Sequence, residues 1–153
     1  MASSHCGRSI VSAIGGAGIV RHRFADVLAE PVSHYTDAVV AGGFIFIAGM
    51  LADDANGVLV GVGDVVAQTE QIFENIEAIL ARLDASLDDV VKIVVYVTDI
   101  ADRAAINTVR VRRFGETRPT STLVQVGALV NLEARVEIET VALAPTPHPE
   151  RAR

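Results

Sequence analysis

The chain has 153 residues, half of them hydrophobic and 21% charged, and carries a formal net charge of −6 at pH 7. Such a length and balance suit one folded domain with a real core. The acidic balance argues against nucleic acid as a partner, since duplex binding normally needs a basic patch that releases counterions. A lone cysteine, Cys6, cannot form an internal disulfide.

No apolar run approaches the length of a membrane span, and Ser9–Val20, though mildly apolar, has glycines and no convincing cleavage site. The chain is therefore expected in the cytoplasm, away from membranes. Residues 1–31 resist assignment. Gly15, Gly16 and Gly18 loosen them, and Arg21, His22 and Arg23 form a small basic cluster before Phe24. This segment reads either as a partly ordered arm or leftover start-site extension, or as an added edge strand or an arm packed on a neighbouring subunit. The core is expected to begin near Val32, giving a domain over 32–145 and a tail over 146–153.

Ala38–Val40 and Phe44–Ala48 flank Gly42-Gly43, which predicts a hairpin, and Asn56-Gly57 marks a later turn. From Asp64 to Leu83 the apolar positions fall on one helical face, with Asp64 placed to cap the free N–H groups. Ser86–Asp89 resembles a short helix start. The β-branched run Val90–Thr98 predicts a central strand, and Asp99–Phe114 a second helix, with Ile106, Val109 and Phe114 inward. Arg103, Arg110, Arg112 and Arg113 are expected to lie largely outward as a solvated face. Thr120–Val126 and Ala134–Leu143 alternate apolar and polar residues, as strands half-buried in a sheet do. Period two puts Ser121, Leu123 and Gln125 on one face and Thr122, Val124 and Val126 on the other. The charges at Arg135, Glu137 and Glu139 share a face opposite Val136 and Ile138, so that face must meet water, a cleft or a partner.

The order of elements predicts an α+β fold: a two-layer sandwich in which two helices cover one face of a mixed β-sheet. Phe46, Val94 and Val124 against Ile45, Ile93 and Leu123 would make both sheet faces apolar, more than one helical layer can cover. There is no metal-ligand spacing, no phosphate loop and no nucleophilic triad order; Gly61 and Gly63 precede a helix without the rest of a nucleotide fingerprint. No cofactor or metal is expected.

Several segments, in order, carry a family resemblance. S-H-Y-T-D-A-V with F-I-F-I-A-G-M, D-V-x-x-Q-T-x-x-x-x-x-N-I, D-D-V-V-K-I-V-V-Y-V-T-D-I, I-N-T-V-R-V-R-R-F-G, and finally R-P-T-S-T-L-V-Q-V with V-E-I-E resemble the reactive intermediate deaminase family, also called Rid or YjgF. The likeness spans about Val32 to Pro145. It implies a homotrimer with active sites in clefts between subunits, and hydrolysis of enamines or imines to a keto acid and ammonia. By the same likeness Glu137 takes the place of a water-holding glutamate, Tyr35 of a cleft tyrosine, Gly49 of a backbone contact at a strand end, and Asn107 of a cleft asparagine.

One position departs from the pattern. The family's arginine two residues after the signature proline, suited to hold a substrate carboxylate with two parallel bonds, is here Ser121, followed by Thr122. A serine can donate one neutral hydrogen bond but brings no charge. The usual glutamine after Gly49 is Met50. Arg118 matches a surface-leaning arginine that full-signature members also carry, so it is no replacement. Arg135, on the strand face of Glu137, would either pair with Glu137 or reach a substrate. His34, beside Tyr35, reads as an exposed loop histidine. Three functions are compatible with these residues: a divergent imine or enamine hydrolase acting on an unusual substrate, a trimeric binding or protein-stabilising module without turnover, and a tautomerase or cyclase using Glu137 as base.

Overall fold

A computed structural model describes residues 10–12 and 18–145; Cys6, Gly15, Gly16, most of the Ser9–Val20 run and the tail 146–153 lie outside the described residues. The strands are β1 (Ile10–Ser12), β2 (Ile19–Arg23), β3 (Ala38–Ala41), β4 (Phe44–Met50), β5 (Val90–Val97), β6 (Thr120–Gln125) and β7 (Val136–Leu143); the helices are α1 (Val65–Arg82) and α2 (Arg103–Phe114). The strands form one sheet in the order β1-β2-β3-β4-β7-β5-β6. Only β5 and β6 run parallel, joined by the crossover through α2; every other neighbouring pair is antiparallel.

Alternation divides the sheet into two faces. Ile45 and Ile47 on β4, Ile93, Val95 and Val97 on β5, and Val136, Ile138 and Ala142 on β7 are buried with Ile72, Phe73, Ile76, Ile79 and Leu80 of α1 and with Ile106 and Val109 of α2. Phe73 meets Phe114 edge to face, ring centres 5.3 Å apart, which joins the two helices over the sheet. The opposite face keeps Phe44, Phe46, Val124 and Leu143 between 39% and 46% exposed, a run of large apolar groups that one helical layer leaves uncovered.

Local chemistry sets the boundaries. Asp64 Oδ1 accepts from the N–H groups of Val66 and Ala67, both at 3.0 Å, and starts α1. Ser86 and Asp89 form a capping box around the single 3₁₀ turn Leu87–Asp89. The predicted helix over Asp99–Phe114 begins as a 3₁₀ turn, Ile100–Asp102, because Asp99 accepts from the Ala101 N–H and the α-helical pattern starts only at Arg103. Buried Gln68 ties α1 to the last strand. Its amide nitrogen donates to the carbonyls of Gly61 (3.2 Å) and Glu133 (3.1 Å), and its oxygen accepts from the Arg135 N–H at 2.8 Å.

Two expectations need correction. The packed unit begins ahead of Val32: β2 pairs with β3, Phe24 is 1% exposed in the core, and Arg23 forms a half-buried ion pair with Asp37, whose carboxylate also accepts from the Phe24 N–H at 2.7 Å. An apolar residue flanked by basic ones in a glycine-loosened segment gave no periodicity from which this could be read. The arginine-rich side of α2 is also more engaged than a solvated face. Arg112 and Arg113 pair with Glu70 of α1, Arg113 also with Glu77, and Arg110 is half-buried.

Candidate active site

Strands β4 and β7 pair from Phe44–Leu143 to Ile47–Thr140, and then the register slips so that Met50 stands opposite Ile138. Ala48 and Gly49 together oppose Glu139, which makes a β-bulge, a device that re-aims side chains at strand ends. The Ala48 N–H is taken by the Asp37 carbonyl at 3.0 Å, which draws the bulged strand toward the preceding segment. Glu137 uses the space this opens. A Cβ on Gly49 would lie 2.9 Å from Glu137 Cδ and closer still to Oε1, so glycine is needed for the carboxylate to rest against the backbone.

The carboxylate opens into a cleft of about 800 Å³ reaching from the bulge to residues 28–37, 51–57 and 130–132. Tyr35 stands half-exposed at its rim, and Gly49, Met50, Asp53 and Asn75 line its wall. Val32, Val130 and Leu132, all more than 70% exposed, make the mouth apolar. None of the described residues lining it is a lysine or arginine, while Glu30, Asp37, Asp53, Asp54 and Glu137 all do. Burial, and then the like charge of Glu139, pushes the Glu137 carboxyl above the usual carboxylate range. Glu139 accepts from the Tyr96 hydroxyl at 3.3 Å. Burial and then Asp54 raise Asp53, one of whose oxygens is buried without a hydrogen-bond partner. The Tyr35 phenol is pushed upward as well, by burial and then by Asp37.

The structure thus brings Glu137, Tyr35 and Gly49 into one cavity. It does not bring Asn107, Ser121, Thr122 or Arg135 there. Ser121 pairs with Ile93 and so shares the helix-covered face at the sheet edge, while Glu137 pairs with Tyr96 on the opposite face; β5 separates their strands and three residues of β5 separate their levels, putting them about 14 Å apart in the sheet. Thr122 shares the uncovered face with Val94, and Asn107 is exposed on α2. Arg135 reaches neither Glu137 nor the cleft. Its Nε and Nη2 donate to the two oxygens of Asp102 at 2.9 and 2.8 Å, a bidentate pair that anchors the start of β7 to the start of α2. β7 begins only at Val136, so strand period did not govern the direction of Arg135.

Asp53, Asn75, Val130 and Leu132 line the cleft without having been expected there. Asn75 left a trace in the D-V-x-x-Q-T…N-I motif: buried on α1, it donates to the carbonyls of Leu51 (3.3 Å) and Asp53 (2.9 Å) and shapes the wall from behind. The others come from turns whose sequences carry no chemical pattern.

A mixed sheet under two helices, with a carboxylate set against a bulge glycine in a cleft, defines a small α+β protein. Comparison with known proteins supplies the family. Residues 27–144 match the family model described as Endoribonuclease L-PSP. The chain is 40% identical over 112 residues to the 3-aminoacrylate deaminase RutC of Acinetobacter baylyi, covering 73% of this chain and 88% of that one. It is similar to the solved structures of RidA from an Antarctic Psychrobacter (39% identity, TM-score 0.70, 76% of this chain and 93% of that one) and of Escherichia coli TdcF with bound serine (30% identity, TM-score 0.70, 77% and 94%). The chain belongs to the Rid/YjgF family, and its relatives include proteins named as RutC family proteins. Among the described residues no helix is long and apolar enough to cross a membrane.

Proposed function

We propose that this protein is a deaminase that hydrolyses the C=N bond of an imine, or of an enamine after tautomerisation, working as a cytoplasmic homotrimer without a cofactor. The observation that carries this reading is the Glu137 carboxylate, seated against Gly49 at the cleft and held above the usual carboxylate range by burial and then by Glu139. Water adds to the imine carbon while Glu137 takes one of its protons. The same carboxyl delivers that proton to nitrogen to give a carbinolamine, then takes the hydroxyl proton and passes it to nitrogen as the C–N bond breaks, leaving a carbonyl and ammonia. An enamine first takes a proton on carbon, for which the Glu137 carboxyl is also the nearest assigned donor.

The relative named as a 3-aminoacrylate deaminase supports the substrate class. A trimer is supported by the uncovered apolar groups Phe44, Phe46, Val124 and Leu143, and by the need for a second copy if Ser121 and Asn107 are to face a Glu137. An RNA substrate fits poorly with an acidic cleft and a net charge of −6. The neutral Ser121 favours one other reading, a trimeric binding module without turnover.

The test is ammonia release from 3-aminoacrylate and 2-aminoacrylate generated in the assay, for the native chain and Glu137→Gln, with size determined by light scattering. Release that falls about 10²-fold or more in a Glu137→Gln variant of unchanged size supports the hydrolase. Equal rates for the two proteins, or none above the spontaneous reaction, would favour the module.

A further inference from the structure

The acids around the cleft differ in what already holds them. Glu30 and Asp37 are paired with Arg23, and Asp37 also accepts from the Phe24 N–H. Asp54 accepts from the N–H groups of Val58 (3.0 Å) and Asn56 (2.8 Å), so its charge is used in closing a turn. Asp53 and Glu137 are different. Among the described residues neither carboxylate is held by a hydrogen bond or an ion pair, and one oxygen of Asp53 is buried in that state. Burial that the fold leaves uncompensated favours a donor or a cation brought from outside.

Two further features say what that donor is attached to. No lysine or arginine is among the described residues lining the cleft, and Arg23, whose charge reaches Tyr35 at the rim, is committed to Glu30 and Asp37. Ser121 is neutral. A substrate carboxylate would enter a space of about 800 Å³ beside five carboxyl groups, and partial exclusion of water there strengthens the repulsion. The mouth is apolar. Val32 comes from the segment before β3, and Val130 and Leu132 from the link between β6 and β7, and all three are largely exposed.

We propose that the preferred substrate of this cleft is an imine without a carboxylate, an alkyl or aryl aldimine or ketimine whose cationic C=NH2 group is drawn to Asp53 and Glu137 and whose hydrocarbon part rests on Val32, Val130 and Leu132. Asp53 is then the specificity-determining residue that ranks such imines above imino acids. This rests on the hydrolase reading above and gives it a substrate class. The protonated imine and water give a carbonyl and ammonium: a carbon–oxygen double bond replaces the carbon–nitrogen one, with no oxidant or reductant. Such imines arise when a primary amine lacking a carboxylate is oxidised, so amine oxidation is the class of reaction that supplies them. Small imino acids are slower substrates, because Glu137 serves them while Asp53 opposes their carboxylate.

The experiment uses the full chain with benzylamine, benzyl alcohol and benzoate, which share a ring and differ in charge, followed by ligand-observed NMR at low salt. The native chain should bind benzylamine about ten-fold or more tighter than benzoate, and added salt should narrow that gap. Asp53→Asn, which keeps the side-chain shape, should weaken benzylamine about ten-fold and benzyl alcohol about two-fold at most. Leu132→Ser should weaken both alike. In turnover, benzaldimine generated in the assay should show a kcat/KM about ten-fold or more above that of 2-aminoacrylate, and Asp53→Asn should shrink this ratio mainly through KM. Circular dichroism checks each variant, and the charge preference of the native chain is a test that needs no variant.

The proposal is overturned if the native chain binds benzoate as tightly as benzylamine, or if folded Asp53→Asn keeps the native preference. Glu137-dependent ammonia release from 2-aminoacrylate at least as fast as from benzaldimine would remove the substrate class and leave the hydrolase standing. Asp53-dependent benzylamine binding with turnover of neither imine would support the ligand class and remove the hydrolase.

Discussion

The junction of β4 with β7 and the edge formed by β6 with α2 each hold residues that family likeness assigns to the site, yet they are built in opposite ways. At the junction the chain itself supplies the bulge, the glycine, the carboxylate resting on it and the Asp37 carbonyl that draws β4 aside. At the edge Ser121 and Asn107 are exposed and make no side-chain hydrogen bond among the described residues. The seat of the Glu137 carboxylate is therefore a property of packing inside the chain, whereas Ser121 and Asn107 face outward from it.

Three changes would break or sharpen this contrast. The largest effect is expected from Gly49→Ala. Its methyl group would displace the end of the Glu137 side chain, so ammonia release should fall about as far as in Glu137→Gln, on the order of 10²-fold. Stability should change by about 1 kcal/mol or less, because what must move is the far end of a flexible side chain. Urea denaturation beside the activity assay checks that split; a large loss of stability would mean that the glycine serves the fold and not the carboxylate. Asp37→Asn comes next. It leaves Arg23 without its most buried partner and weakens the bond to the Phe24 N–H, and should destabilise the chain by about 3 kcal/mol, read from the shift in denaturation midpoint. Because Asp37 also lines the cleft, this variant tells whether the strands added ahead of the family core support the site.

The smallest effect is a displacement of the pH profile. Glu137 must be ionised to take a proton from water, so the rate should rise with pH through its elevated pKa. Glu139→Gln removes the like charge, lowers that pKa and should move the acid limb to lower pH by a fraction of a unit, while Glu137→Gln should abolish the limb. The sign for stability follows the same shift. A carboxyl whose folded pKa lies above its unfolded value favours the fold below the unfolded pKa, and that benefit is lost as pH rises through the folded one. Glu137→Gln should therefore leave the protein no less stable at neutral pH and relatively more stable than the native chain above the window. A fall in stability at pH 7 would show that the ionised carboxylate has a structural partner.

Much of the architecture was legible before any coordinates. Helix α1 showed its apolar face and its Asp64 cap, β5 its β-branched run, and β4 and β7 their alternation, because each pattern reports burial on one side of a regular element. Family motifs led to Glu137, Tyr35 and Gly49, which share a cleft. The failures are equally physical. Arg135 was assigned a direction by strand period one residue before the strand begins, and an acid from another element, Asp102, claims it. The arginines of α2 looked alike in sequence and differ in setting, with Arg112 and Arg113 paired to α1 and Arg110 half-buried without an ion pair among the described residues.

The sequence by itself determined the order and kind of most elements and the chemistry that the chain carries, because periodicity, caps and turns are local. Only the tertiary structure decided that Glu137 leans on Gly49, that residues 19–24 enter the sheet and core, and that Ser121 lies on the opposite face from Glu137. Those facts depend on a register slip, on which strand stands between two others, and on which charge finds which partner across the fold. They are set by long-range pairing, and no local pattern of residues encodes them.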